Sequence, residues 1–217
     1  MRRLISIPIV IVALLATGTA LASVTVYKSA FKSRGEFGAV QKLGGGKCGK
    51  SWKDKKKLGF VVKGGNQQCM LATPVQGDAR QPDHAIQVVG KVGKNTDKKI
   101  RSSVYVGVAL RANAKSAYEL RIFPKGRRWQ LLKNGNQLDN GREKAIKELG
   151  ADNRIRLSAD GGKVVARVNG AGLATFRDNS PEEVSGRKSA FSFGNTKKSK
   201  KDGVGTFDKL KVLVPDP

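Results

Sequence analysis

Hydrophobic and polar residues alternate over most of residues 84–214, and turn-forming residues separate the runs. Period-two alternation puts successive side chains on opposite faces of an extended chain, so it predicts half-buried β-strands. Residues 85–89 read as one strand. In 103–111, Val104, Val106, Val108 and Leu110 share a face, as do Tyr118, Leu120 and Ile122 in 117–123. Residues 128–132 follow and end at Asn134-Gly135, a dipeptide that accepts the positive φ of a tight hairpin. In 153–158, Ile155 and Leu157 face together. Asp160-Gly161 turns the chain, and 163–168 returns with Val164, Ala166 and Val168 inward. Asn169-Gly170 turns it again into 173–176. Residues 188–193 and 206–214 complete the set, with loops at 178–186 and 196–205. Helical spacing occurs only in 142–149, through Ala145, Ile146 and Leu149, and predicts one or two helical turns within a loop. Many short strands joined by Gly and Asn turns predict an all-β fold, an antiparallel sandwich or barrel. No internal repeat or long linker divides it, so residues 23–217 read as a single domain.

The first 22 residues break this pattern. Arg2 and Arg3 precede an uncharged apolar run, residues 4–15, and Ala20-Leu21-Ala22 places small residues at the −3 and −1 positions before Ser23. These three parts make a secretory signal peptide, residues 1–22, and predict a secreted or cell-envelope protein. The alternative is an uncleaved membrane anchor, since the stretch approaches the roughly 20 apolar residues that span a bilayer. Thr17, Gly18 and Thr19 dilute that stretch, and a lipoprotein cysteine is absent from the cleavage site.

Charge changes the picture next. The chain carries a formal +25, of which the signal contributes Arg2 and Arg3. A charge of this size self-repels at a cost in stability, so a role outside the fold is expected for it. The partners it suggests are anionic polysaccharide or cell-wall polymer, non-specific nucleic acid, or anionic lipid if the signal is uncleaved. The two cysteines, Cys48 and Cys69, read as a disulfide in an oxidising compartment. Closing that loop is worth about 3 kcal/mol.

Classical catalytic chemistry has little to stand on. His84 is the only histidine and has no triad spacing. Gly44-Gly45-Gly46-Lys47 lacks the frame of a phosphate loop. No metal and no cofactor are expected. The arginines offer more. Matching apolar faces across Asp160-Gly161 pairs Leu157 with Val164 and Ile155 with Ala166. That register sets Arg154 opposite Arg167, with Arg156 on the same face. Like charges directly opposite destabilise a sheet, and Arg forks match carboxylate and phosphate. Arg111, Arg121 and Arg128 recur on neighbouring strands. An anion-binding face and a splayed, solvated face both fit these positions. Lys53/Lys55/Lys56/Lys57, Lys94/Lys98/Lys99/Arg101, Lys125/Arg127/Arg128 and Lys197/Lys198/Lys200/Lys201 fall in turns. Sharing one rim, they would bind a polyanion with steep salt dependence. Trp52, Tyr105, Tyr118 and Trp129 could stack on sugars or fill the core.

The order of short motifs resembles a known family. Tyr118-Glu119-Leu120-Arg121, Trp129-Gln130-Leu131, Asn153-Arg154-Ile155-Arg156-Leu157, Val168-Asn169-Gly170, Phe191-Ser192-Phe193-Gly194 and Phe207-Asp208-Lys209-Leu210-Lys211-Val212 follow one another. This order is similar to that of the concanavalin A-like lectin/glucanase superfamily, in its laminin-G-like branch, over roughly residues 83–214 with 23–31 as an edge strand. The resemblance implies a two-sheet antiparallel jelly-roll sandwich whose concave face or rim loops bind carbohydrate. Calcium sites occur in relatives, and Asp78, Asp83, Asp97, Asp178 and Asp208 are available for one, but the positive field opposes a hard cation. Hydrolases of the family resemble a Glu-x-Asp-x-x-Glu strand. That strand is missing here, Glu119 being the lone acid of its own, and hydrolysis needs paired carboxylates. The expectation is a secreted, non-catalytic binding module for an anionic glycan or wall polymer. Its contacts would be Arg111, Arg121, Arg128, Trp129, Arg154, Arg156 and Arg167. The alternatives are a glycan-active enzyme and a surface protein with non-specific polyanion adhesion.

Overall fold

A computed structural model describes residues 23–43, 48–53, 57–63, 67–74 and 83–215. The signal segment, residues 1–22, the Gly44–Lys47 run and Asp78 lie outside the described residues, as do the side chains of Cys48, Trp52, Lys53, Lys55 and Lys56. The chain runs β1 (Ser23–Ser29), α1 (Arg34–Ala39), β2 (Gln41–Leu43), β3 (Cys48–Lys53), β4 (Lys57–Lys63), β5 (Gln67–Ala72), β6 (His84–Val92), β7 (Val104–Ala112) and β8 (Tyr118–Phe123). It continues through β9 (Arg128–Lys133), β10 (Asn136–Arg142), β11 (Asn153–Asp160), β12 (Lys163–Val168), β13 (Ala171–Arg177), β14 (Lys188–Asn195) and β15 (Asp202–Pro215). Sheet one has the order β13-β12-β11-β6-β15-β4-β3, with β1 also paired to β15. Sheet two has the order β10-β9-β8-β7-β14-β5-β2. Every pairing is antiparallel, and the two sheets form a sandwich.

The alternating residues supply the core. Ile86 and Val88 of β6, Ile155 and Leu157 of β11 and Val106 and Val108 of β7 are fully buried. An aromatic cluster fills the centre. Phe60 stacks on Phe193 with ring centroids 4.2 Å apart, and Phe191 meets Phe207 edge-on at 4.7 Å. Each such pair adds about 0.5–1.5 kcal/mol beyond its area burial. The hairpins close as their dipeptides predict. Asn134-Gly135 and Asn169-Gly170 both have positive φ at both positions, which matches the twist of the flanking strands.

Two expectations need correction, and one strand was not anticipated. Residues 142–149 are not helical. Arg142 ends β10, and the following segment makes isolated turns, with the Ile146 N–H donating to the Glu143 carbonyl, because Ile146 drops into the core as an anchor. The β11–β12 register is two residues away from that inferred. Ala159 continues the apolar face to pair with Val164, leaving Gly161-Gly162 as a two-residue turn. Arg156, not Arg154, therefore stands opposite Arg167. Strand β10, whose sequence is almost wholly polar, pairs along β9 without an alternating signal. Cys69 is buried and is not a free thiol, and its expected partner has no described side chain.

Loop 178–187 is locked to sheet two. Asp178 accepts from the Tyr118 hydroxyl, from Lys133 Nζ at 2.9 Å and from the Ser180 N–H at 3.0 Å. Burial works against ionisation of Asp178, but these donors outweigh it and hold the carboxyl below its ordinary 3.8. A depressed folded value gives stability that is complete above the unfolded value and lost as pH falls through the folded one. The urea-midpoint difference between wild type and Asp178→Asn should therefore be constant above pH 3.8 and shrink below it. A second expectation concerns the close approach of strands in sheet two. A Cβ on Gly107 would lie 2.3 Å from the Leu120 carbonyl oxygen, whereas one on Gly172 meets nothing within 4 Å. In urea denaturation Gly107→Ala should cost about 1–3 kcal/mol, and Gly172→Ala should stay within about 0.5 kcal/mol.

Candidate functional site

The seven residues expected to bind ligand separate into three places. Trp129 is only 6% exposed and packs in the core beneath β10. Arg111 sits in a β-bulge between β14 and β7, with φ +47°. The bulge breaks the alternation, and the guanidinium bonds the Asp83 carboxylate at 2.8 Å and the Gly161 carbonyl, tying the two sheets together. Arg128 lies over the Phe123 ring at 5.0 Å and donates to the Ser102 carbonyl. These three side chains are committed to the fold.

Arg121 belongs to the second place, a trough on the outer face of sheet two. Gly107, Ala109, Ala190, Ser192 and Gly194 occupy that face of the two central strands. Such small residues let long side chains from β5 and β8 lie flat over them. Arg121 Nη2 donates to Gln68 Oε1 at 2.6 Å and to Glu119 Oε2 at 2.7 Å, and Gln68 Nε2 donates to the same carboxylate oxygen at 2.8 Å. The guanidinium also rides over the Tyr105 ring at 4.7 Å. Burial works against the Arg121 charge, but the Glu119 carboxylate outweighs it and raises the Arg121 pKa. Burial, then the Glu119 charge, pushes the Tyr105 hydroxyl well above its usual range. Four buried polar atoms here have no partner: Tyr105 Oη, Glu119 Oε1, Arg121 Nε and Ser192 Oγ. The trough opens into a cleft of about 320 Å³, floored by Gln68, Met70 and Glu119 and rimmed by loop 113–116 and the Asn134-Gly135 turn. Gln68 escaped the sequence reading because residues 32–82 carry no clean alternation.

Arg154, Arg156 and Arg167 form the third place, the outer face of sheet one. Here the register brings more together than the arginines alone. Lys28 stands opposite Lys211, Lys211 opposite Gln87, Gln87 opposite Arg156, and Arg156 opposite Arg167. Adjacent strands lie about 4.8 Å apart, so four cations and one amide line a row about 19 Å long. Arg154 flanks it, beside a hollow of about 380 Å³ that Gln87, Arg156, Ser158 and Arg167 also line. No ion pair or hydrogen bond engages the side chains of Lys28, Lys211, Arg154, Arg156 or Arg167 among the described residues. Lys28 and Lys211 were not singled out in the sequence. Nothing in their own strands marks them, and only the pairing of the first strand with the last aligns them with Arg156.

Among the described residues no three His, Cys, Asp or Glu side chains converge as a metal site would require. His84 is buried at the start of β6. No described helix is long and apolar enough to cross a membrane. Removing the charge of Glu119 alone should be severe, because it strands Arg121 as a buried uncompensated cation. Glu119→Gln is expected to lose about 3–5 kcal/mol in urea denaturation, and Glu119→Leu/Arg121→Met to recover most of it.

No protein-family model matches the chain, and no curated protein matches its sequence. Solved structures do match its shape. A protein of unknown function with a galectin-like fold from Bacillus subtilis aligns at TM-score 0.60 and 12% identity, over 88% of this chain and 97% of that one. The CBM2 module of the evolved Dit of Lactobacillus casei BL23 phage J-1 aligns at TM-score 0.59 and 10% identity, over 91% and 98%. A structure reported with endo-acting O-glycanases of human gut microbiota that initiate mucin breakdown aligns at TM-score 0.57 and 7% identity, over 88% and 100%. At these identities the likeness shows the fold alone: the chain is a sandwich of two antiparallel sheets.

Proposed function

We propose that this chain is an exported, non-catalytic binding module for an anionic glycan or cell-wall polymer, held on the outer face of sheet one. The observation that carries the reading is the in-register row Lys28–Lys211–Gln87–Arg156–Arg167, with no carboxylate among the described residues engaging its cations. Placing Arg156 directly against Arg167 costs stability. An anion laid along the row removes that cost and accepts the arginine forks. Gln87, the one neutral member, offers an amide to a hydroxyl or carboxylate oxygen. The likeness to a carbohydrate-binding module supports a glycan as the polymer. Glu119 is the only carboxylate that lines its cleft among the described residues, which supports binding without hydrolysis. Export by a cleaved signal, residues 1–22, and a Cys48–Cys69 bridge belong to the same proposal.

The row predicts opposite changes in binding and stability. In Arg156→Ala/Arg167→Ala, affinity for polygalacturonate should fall, and the slope of log K against log salt should lose about two units. Arg167→Gln alone should raise stability by about 0.2–1 kcal/mol in urea denaturation. Unchanged affinity and salt slope in the double variant would overturn the proposed face. Polysaccharide cleavage by the purified protein that Glu119→Gln abolishes in a folded sample would overturn the non-catalytic reading.

A further inference from the structure

Three of the four basic turn clusters, those beginning at Lys94, Lys125 and Lys197, lie at one end of the sandwich. Loop 93–103, turn 124–128, segment 143–152 and loop 195–202 all join strand ends at this pole, and hydrogen bonds tie them together. The Thr196 N–H donates to the Ser103 carbonyl, the Gly150 N–H to Val92, the Glu143 N–H to Arg127, and Arg128 to Ser102. These four segments hold thirteen lysines and arginines against five carboxylates. Lys94, Lys98, Lys99, Lys125 and Lys147 are exposed, and Lys197, Lys198, Lys200 and Lys201 add an exposed quartet. The turns of the opposite pole, 113–116, 160–163 and 178–187, hold three cations and four carboxylates. Among these described turns the charge is therefore polarised along the strand axis.

The pole meets the cationic row of sheet one. Arg154 follows Asn153, whose side chain bonds the backbone of Lys147 in the polar segment. Asn169, in the turn that follows β12, donates to the Ala145 carbonyl, and Gly170 borders the hollow of Arg154, Arg156 and Arg167.

We propose that the pole and the row form one bent track for a long, flexible linear polyanion, so that the protein selects chain length as well as charge. This rests on the sheet-one reading above. The row holds the arginine forks and Gln87, and a short segment of polymer satisfies it. The pole offers exposed lysine ammonium groups without fixed forks, which suits retention of the continuing chain by charge alone. The corner between strand ends and sheet face favours a polymer that bends within a few units. Duplex DNA, with a persistence length of about 50 nm, cannot follow it. Carboxylated glycans and phosphodiester wall polymers share the required chemistry.

The test measures binding of the mature chain to polygalacturonate and to poly(glycerol phosphate), each at about 4 and about 20 charges, and to duplex DNA of the longer charge count, across salt concentrations. The expected result is that one flexible polymer binds about 100-fold more tightly in its long form than in its short form. Which of the two does so identifies the source. In Lys197→Gln/Lys198→Gln/Lys200→Gln/Lys201→Gln the long-chain advantage should collapse and its salt slope fall by about three to four units, with short-chain affinity unchanged. All four side chains are exposed, and an unaltered melting temperature confirms folding. A length dependence that survives the quartet, or duplex DNA binding as tightly as the long flexible chains, overturns the track. Loss of length dependence with Arg156 and Arg167 still required leaves the sheet-one reading standing and removes only the track. Short-chain binding indifferent to Arg156→Ala/Arg167→Ala removes both.

Discussion

The contact between the two aromatic layers, Phe60 and Phe207 from sheet one against Phe191 and Phe193 from sheet two, is the constraint on which the other features depend. A chain with a formal +25 repels itself wherever its surface charges approach. It stays compact only if the attraction between its sheets exceeds that repulsion. Long inward runs of Val, Ile and Leu provide area, and the phenylalanines fix how the sheets sit against each other. With that interface secured, the outer face of sheet one can hold cations opposite cations. The register that sets Arg156 against Arg167 is imposed from within, by Leu157, Ala159, Val164 and Ala166.

The two outer faces then diverge in chemistry. On sheet two, small residues in the central strands let Arg121, Glu119 and Gln68 lie down and neutralise one another. On sheet one, the outward positions of β1, β15, β11 and β12 carry cations that no ion pair engages among the described residues. The first arrangement uses charge internally, and the second leaves it available. Fold likeness cannot distinguish them, because both faces belong to the same sandwich.

Much of the fold was legible in the sequence from residue 84 onward. There the alternation is clean, and the Asn-Gly turns state where strands reverse. Residues 32–82 were not legible, because short strands rich in Gly, Lys and Gln owe their conformation to neighbours distant in sequence. Gln68 became visible only once β5 was seen beside β14. Arg111 and Trp129 misled for different reasons. A bulge rotated the first out of the alternation, and the second obeyed it but faced inward. The arginines of β11 and β12 were found from their own strands, yet their opposition depended on one extra apolar position, Ala159. Lys28 and Lys211 could not be found locally at all.

The pairing of β1 with the end of β15 has a consequence for how the chain comes to be folded. Ser23 lies opposite Pro215, so the two extremities of the described chain are neighbours in one sheet. The first described strand must wait, edge unpaired, for the last described one to arrive. Closing so large a loop is slow, because chain entropy is spent before any contact repays it. During that interval the exposed Val24 and Val26 sit on an open strand edge, and the adjoining Lys28 supplies the charge that discourages a second chain from pairing there. Nascent copies that repel one another reach the closed sheet singly.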